Sequence, residues 1–204
     1  MIRPSRRHFA LIAVATLSAG AASAQDGCPT RADLTSGIRL TRAEPLFSSV
    51  FRQGAGGLTE TRVMRNGAEE VRLETVYAHP LAVLRRSGPD GTSALRYDSD
   101  PAMLDALDRM AGWSSGLTLL DDGAEVAQGR ITLVRIGDAE VTVGGCTYPT
   151  WTVDEVTTIG DGPTVRFRKS YAPSLGLVLR SARLAPDGSG ESTVIADTIA
   201  REPR

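Results

Sequence analysis

The residues able to do chemistry are few. The only thiols are Cys28 and Cys146, and the only imidazoles are His8 and His79. Two isolated cysteines, with no CxxC and almost no histidine, make a poor metal or redox pair. One disulfide is the economical reading. His8 falls in a leader treated below as removed, so any Ser-His-Asp or Cys-His site would need His79 as its base. It stands in Tyr77-Ala-His-Pro-Leu81, where Pro80 forces an extended step. No G-x-S-x-G accompanies it, so a surface or corner histidine is expected. A catalytic His79 requires a carboxylate and a Ser or Thr hydroxyl within hydrogen-bond reach, facing a pocket. A multi-histidine zinc site cannot be assembled.

Acidic pairs occur at Glu69-Glu70, Asp121-Asp122 and Asp154-Glu155. Adjacent strand residues point to opposite faces, so each pair offers one carboxylate to any cleft. Glycosidase chemistry needs two facing one cleft. Asp187-Gly-Ser-Gly-Glu191 lacks the further carboxylates of a calcium loop and reads as a turn. No P-loop or dinucleotide fingerprint is present, and no cofactor is expected. Arg166, Arg168 and Arg180 form a candidate anion patch on two successive strands near the C-terminus. It would hold an anionic headgroup or an acidic partner. The other reading is a solvated outer face balanced by Asp154 and Glu155.

The elements that position these residues are mostly strands. Asn66-Gly67, Asp90-Gly91, Asp122-Gly123, Asp161-Gly162 and Asp187-Gly188 are Asx-Gly pairs. Tight hairpin turns favour such pairs because glycine takes positive φ without a Cβ clash. Gly137-Asp138 is a sixth candidate turn, and Gly54-Ala-Gly-Gly57 reads as a wide turn. Between turns the residues alternate. Val71, Leu73, Thr75 and Tyr77 share one face; Val165, Phe167 and Tyr171 lie opposite Arg166, Arg168 and Ser170; Val141 and Val143 alternate with Glu140 and Thr142. Short turns make neighbouring strands antiparallel. The expected fold is mainly β: one curved antiparallel sheet, a half-open barrel or sandwich, of about ten strands. A single short amphipathic helix interrupts it near 101–111. Asp100 caps its start, Pro101 opens it, Gly112 ends it, and Met103, Leu104, Leu107, Met110 and Ala111 form its apolar stripe. It either covers an open edge or fills the concavity, with Trp113 packed at its end.

The first 24 residues read as a cleavable leader. Arg3, Arg6 and Arg7 precede a short apolar run from Phe9 to Leu17, and Ala22-Ser-Ala24 supplies a small-residue site for cleavage between Ala24 and Gln25. The run is too short to span a bilayer. Ser5-Arg-Arg-His-Phe9 resembles a twin-arginine export signal, although Ala10 and Leu11 replace its usual continuation; the general secretory route stays open beside it. Gln25-Asp26-Gly27 lacks the apolar position that precedes an acylated cysteine, so no lipid anchor is expected. A single β-rich domain over 25–204 follows, with no transmembrane segment, in the periplasm. Loss of the leader moves the formal charge from −1 to −4, because three of 23 basic residues go while all 24 acids stay. That balance argues against nucleic-acid binding.

Cys146-Thr-Tyr148, Trp151 and Ser170-Tyr-Ala-Pro-Ser-Leu-Gly-Leu-Val-Leu-Arg180 set a further texture. Over about residues 146–184 the chain resembles small periplasmic antiparallel β-sheet proteins of the half-open-barrel, lipoprotein-carrier-like type. The resemblance implies a curved sheet with a helix in its concavity and an apolar concave face as a ligand site. It transfers no functional residue. The leading expectation is a non-enzymatic protein that binds a lipid-like, apolar or amphipathic ligand, or a cell-envelope partner. The alternatives are an envelope hydrolase using carboxylates or His79, and a purely structural envelope subunit.

Overall fold

The chain has 204 residues, and its structure, a computed structural model, describes residues 27–203. The leader, the Ala24–Gln25 junction and the paired arginines lie outside the described residues. Thirteen strands form one antiparallel sheet. They are β1 (Ile38–Arg42), β2 (Phe47–Gly54), β3 (Gly57–Asn66), β4 (Glu69–His79), β5 (Ala82–Gly88), β6 (Gly91–Tyr97), β7 (Trp113–Asp121), β8 (Ala124–Val143), β9 (Cys146–Ile159), β10 (Val165–Ala172), β11 (Leu177–Leu184), β12 (Gly190–Ile195) and β13 (Thr198–Arg201). Each of β1 to β11 pairs with the next in sequence, and β13 returns to pair with β1.

Thirteen strands replace the expected ten. The additional ones are short and lack Asx-Gly punctuation, as at the two-residue link between β12 and β13. Asp122-Gly123 forms the expected turn, with φ of 45° and 87°. The β5–β6 turn is Pro89-Asp90, with Gly91 already paired to Gly88. Gly137-Asp138 is no turn: β8 runs through it, with Ile136 as an extra, unpaired residue between Arg135 and Gly137. The hairpin instead reverses at Gly144-Gly145, with φ of 56° and 82°. Gly54 pairs with Gly57, so that glycine-rich stretch is a tight hairpin rather than a wide turn.

The helix is also corrected. It is a 3-10 helix over Pro101–Arg109, kinked at Ala106, and ends before Met110. Asp100 Oδ1 accepts from the Ala102 N–H at 2.9 Å, as the capping pattern requires. Only Leu104 and Leu107 are buried in it. They are three residues apart, the spacing that a three-residue turn aligns. Met103, expected on the apolar stripe, is exposed. Leu104 and Leu107 pack among Trp113, Leu117, Ile131, Leu133 and Val153, residues on the inner side of β7, β8 and β9. The helix therefore sits in the concavity. A second, unexpected 3-10 helix, Arg31–Thr35, precedes β1 and buries Leu34.

The sheet is open by hydrogen bonding but curled end to end. Its outermost strands, β12 and β13, are consecutive in the chain and joined only by residues 196–197. The Asp197 N–H donates to the Thr41 carbonyl at 2.8 Å, and Asp197 Oδ2 accepts from the Ala43 N–H at 2.8 Å. The two edges thus meet at one corner. The tip of the β8–β9 hairpin closes over it, with Gly144 packed against Thr198 and Ile199. Here the hairpin changes its buried face. Val153 and Glu155 face the concavity, whereas Cys146, Tyr148 and Thr150, of opposite parity on the same strand, are buried on the other side.

Candidate functional site

The inner face of the sheet leaves a cavity of about 390 Å³. Pockets that take small molecules are about 300–1,000 Å³. Its apolar wall includes Leu40, Phe51, Leu58, Val83, Phe167 and Val178. Strand alternation brings these side chains inward: Phe51 and Leu58 flank the β2–β3 turn, and Phe167 lies opposite Glu155 in the β9–β10 ladder.

Two polar groups of residues interrupt the wall. On β2, β3 and β4 the fully buried Glu60 is saturated. Its Oε1 accepts from the Ser49 hydroxyl at 2.6 Å and from Arg62 Nε at 2.7 Å, and its Oε2 accepts from the Tyr77 hydroxyl at 2.5 Å. The register explains the grouping, because Ser49 lies opposite Arg62, and Glu60 opposite Thr75, two residues from Tyr77. The Arg62 guanidinium also stands 5.5 Å over the Phe47 ring. Burial, and then the adjacent Glu60 carboxylate, push the Tyr77 hydroxyl far above its ordinary range, so it stays protonated and donates. Across the cavity, Lys169 on β10 pairs with the buried Glu155 on β9. A buried carboxylate is costly unless paired and hydrogen-bonded, and both acids meet that condition. The result is an apolar hollow with two internally neutralised polar stripes.

His79 sits at the end of β4, at the expected corner, but it is buried rather than on the surface. Its Nδ1 accepts from the Leu81 N–H at 3.1 Å. Its Nε2 lies 3.6 Å from Asp105 Oδ1 on the central helix, beyond hydrogen-bond distance. Burial lowers its pKa to about 4, against the opposing pull of Asp105. The ring packs 5.5 Å from that of Tyr171, whose hydroxyl burial pushes up to about 12. A side cavity of about 170 Å³ opens at His79, and no Ser or Thr lines it. The hydroxyl neighbour required of a catalytic His79 is missing from that lining.

Of the remaining sequence candidates, Arg180 stands at the lining of the large cavity, whereas Arg166 and Arg168 do not line it. Arg166, Arg168 and Arg180 are exposed, the first two on β10 and the third on β11 opposite Ser170. Arg168 forks onto Asp154 at 2.7 and 2.9 Å. Asp154 and Glu155 diverge to opposite faces, as adjacent strand residues do, one to Arg168 outside and one to Lys169 inside. Cys28 and Cys146 form a disulfide across 118 residues. It pins the start of the described chain to the β8–β9 tip, where the Tyr148 hydroxyl also donates to the Pro29 carbonyl at 3.0 Å. Such a bond belongs to an oxidising, extracytoplasmic compartment.

The Glu60 cluster was not anticipated from sequence. Its signal is in β3, where Leu58, Glu60, Arg62 and Met64 share one face: charge placed between apolar residues on a core-facing row.

No protein-family model and no curated protein matches the chain. Among solved structures it is similar to the hypothetical lipoprotein YmcC from Escherichia coli (K12), with 12% sequence identity over 80% of this chain and 81% of that one and a TM-score of 0.48.

Proposed function

We infer that this is an exported envelope protein that holds an amphipathic ligand in the concave face of its sheet, without catalysing a reaction on it. One observation carries the reading: the cavity of about 390 Å³, apolar along its walls, with its buried ions already paired to each other. Apolar wall favours an apolar chain by about 25 cal/mol for each Å² withdrawn from water. Satisfied polar stripes orient a ligand without demanding a partner for every charge. On this reading residues 1–24 are a leader removed at Ala24–Gln25, and the protein works in the periplasm.

The test is direct. The protein is purified from the periplasm without detergent, extracted into organic solvent and analysed by mass spectrometry, and the stripped protein is titrated with a fluorescent fatty acid. Saturable binding is expected, and Phe167→Asp, which puts a charge on the half-buried wall, weakens it at least about tenfold. Absence of both a co-purifying amphiphile and any probe binding removes the reading. Export is checked by replacing Arg6 and Arg7 together with Lys: unchanged export rules out the twin-arginine route.

A further inference from the structure

The side cavity at His79 is separate in chemistry from the apolar hollow. Because Nδ1 accepts the Leu81 N–H, the ring proton of neutral His79 sits on Nε2. That Nε2–H is buried, with the side chain 4% exposed, and no hydrogen-bond acceptor reaches it among the described residues. Buried donors are nearly always satisfied, so an open one calls for a partner.

Two more charged groups line the same cavity from its solvent side, Asp105 with its side chain 67% exposed and Arg31 also exposed. Asp105 offers a carboxylate that accepts no hydrogen bond among the described residues, and Arg31 offers a guanidinium that donates none. Arg31 is placed by packing against Gly176, where a Cβ would meet its Nε at 3.5 Å. The Gln53 amide completes the polar lining, and Leu34 and Leu58 supply an apolar floor.

These groups select among ligand chemistries. A carboxylate would satisfy Arg31 and His79 but would lie against the Asp105 carboxylate, only 3.6 Å from Nε2. An amine would satisfy Asp105 but meet the N–H of His79 and the charge of Arg31. A hydroxyl both accepts and donates, so it bridges the Nε2–H to Asp105 while a neighbouring hydroxyl accepts from Arg31. The volume, about 170 Å³, is several times the roughly 30 Å³ share of one water. We propose that this cavity binds a small polyhydroxylated compound, with His79 as the buried donor, Asp105 as the acceptor and Arg31 as the second donor.

The test uses the oxidised mature chain and follows the His79 ring nitrogens by NMR during titration with glycerol, D-glucose and myo-inositol, with acetate as the anionic comparison. A saturable shift of Nε2 and its proton with one of the polyols, and none with acetate, is expected. Asp105→Ala, at an exposed position on the helix, keeps the backbone spectrum and weakens that binding by about tenfold or more. No saturable shift with any polyol means the cavity holds water only and overturns the proposal. So does binding of acetate in their place, or equal polyol affinity in the Asp105→Ala protein.

Discussion

At the scale of the residue, burial decides what His79 and Glu60 contribute. The unfolded chain protonates His79 near its ordinary 6.5, whereas the folded protein resists protonation down to about 4. Between those values the unfolded state binds more protons, so stability is complete above pH 6.5 and falls as pH drops toward 4. The gap corresponds to about 3 kcal/mol. The carboxylates held low by their partners, such as Asp33 by the Thr30 backbone and Glu202 by Arg39, act further down, through and below the ordinary carboxylate range. Urea midpoints at pH 7 and pH 5 should therefore differ, and His79→Gln should flatten the difference. Glu60→Ala should cost about 3–5 kcal/mol, because it leaves Arg62 and Tyr77 without their buried acceptor; chemical unfolding measures it. Neither role was legible beforehand. Pro80 marked a corner for His79, but its burial comes from Tyr171 and the central helix, which are distant in sequence.

At the scale of the element, turn chemistry was readable where it was strict and misleading where it was not. Asp122-Gly123 needed two positive φ values, and the sequence said so. Gly137-Asp138 looked alike, yet it lies in mid-strand beside Ile136. The true reversal, Gly144-Gly145, was the other Gly-rich dipeptide within the same ten residues. There the prediction is firm: Gly144→Val meets both a φ of 56° and the Ile199 amide nitrogen at 3.2 Å from the new Cβ. A loss of about 1–3 kcal/mol in thermal unfolding is expected. The helix makes a second case. Its capping residue was plain, but its type was hidden, because 3-10 spacing depends on the two inward leucines finding Trp113 and Leu133. Leu107→Ala should cost about 2–5 kcal/mol by the same unfolding measurement, as a cavity opens under the helix.

At the scale of the whole molecule, the covalent and hydrogen-bonded closures coincide. The disulfide bridges 118 residues, and in the chain-entropy account a loop of that length stabilises by about 4–5 kcal/mol. Cys28→Ser combined with Cys146→Ser should lower stability by that order while the β-sheet circular dichroism persists at low temperature. The pairing was legible from two cysteines and the compartment the sequence led one to expect. The curl was not, because it depends on β13 finding β1. That contact joins opposite ends of the chain: Glu202 takes a fork from Arg39 at 2.7 and 2.8 Å, and Ile38 pairs with Arg201.

The two-residue link between β12 and β13 sets an order in time. Because β13 pairs with β1, the sheet reaches its full width only after strands from far-separated stretches of the sequence have met. Until they meet, β1 is itself a bare edge, and an unpaired strand edge is an association-prone surface. A chain without Thr198–Arg201 would keep that β1 edge bare.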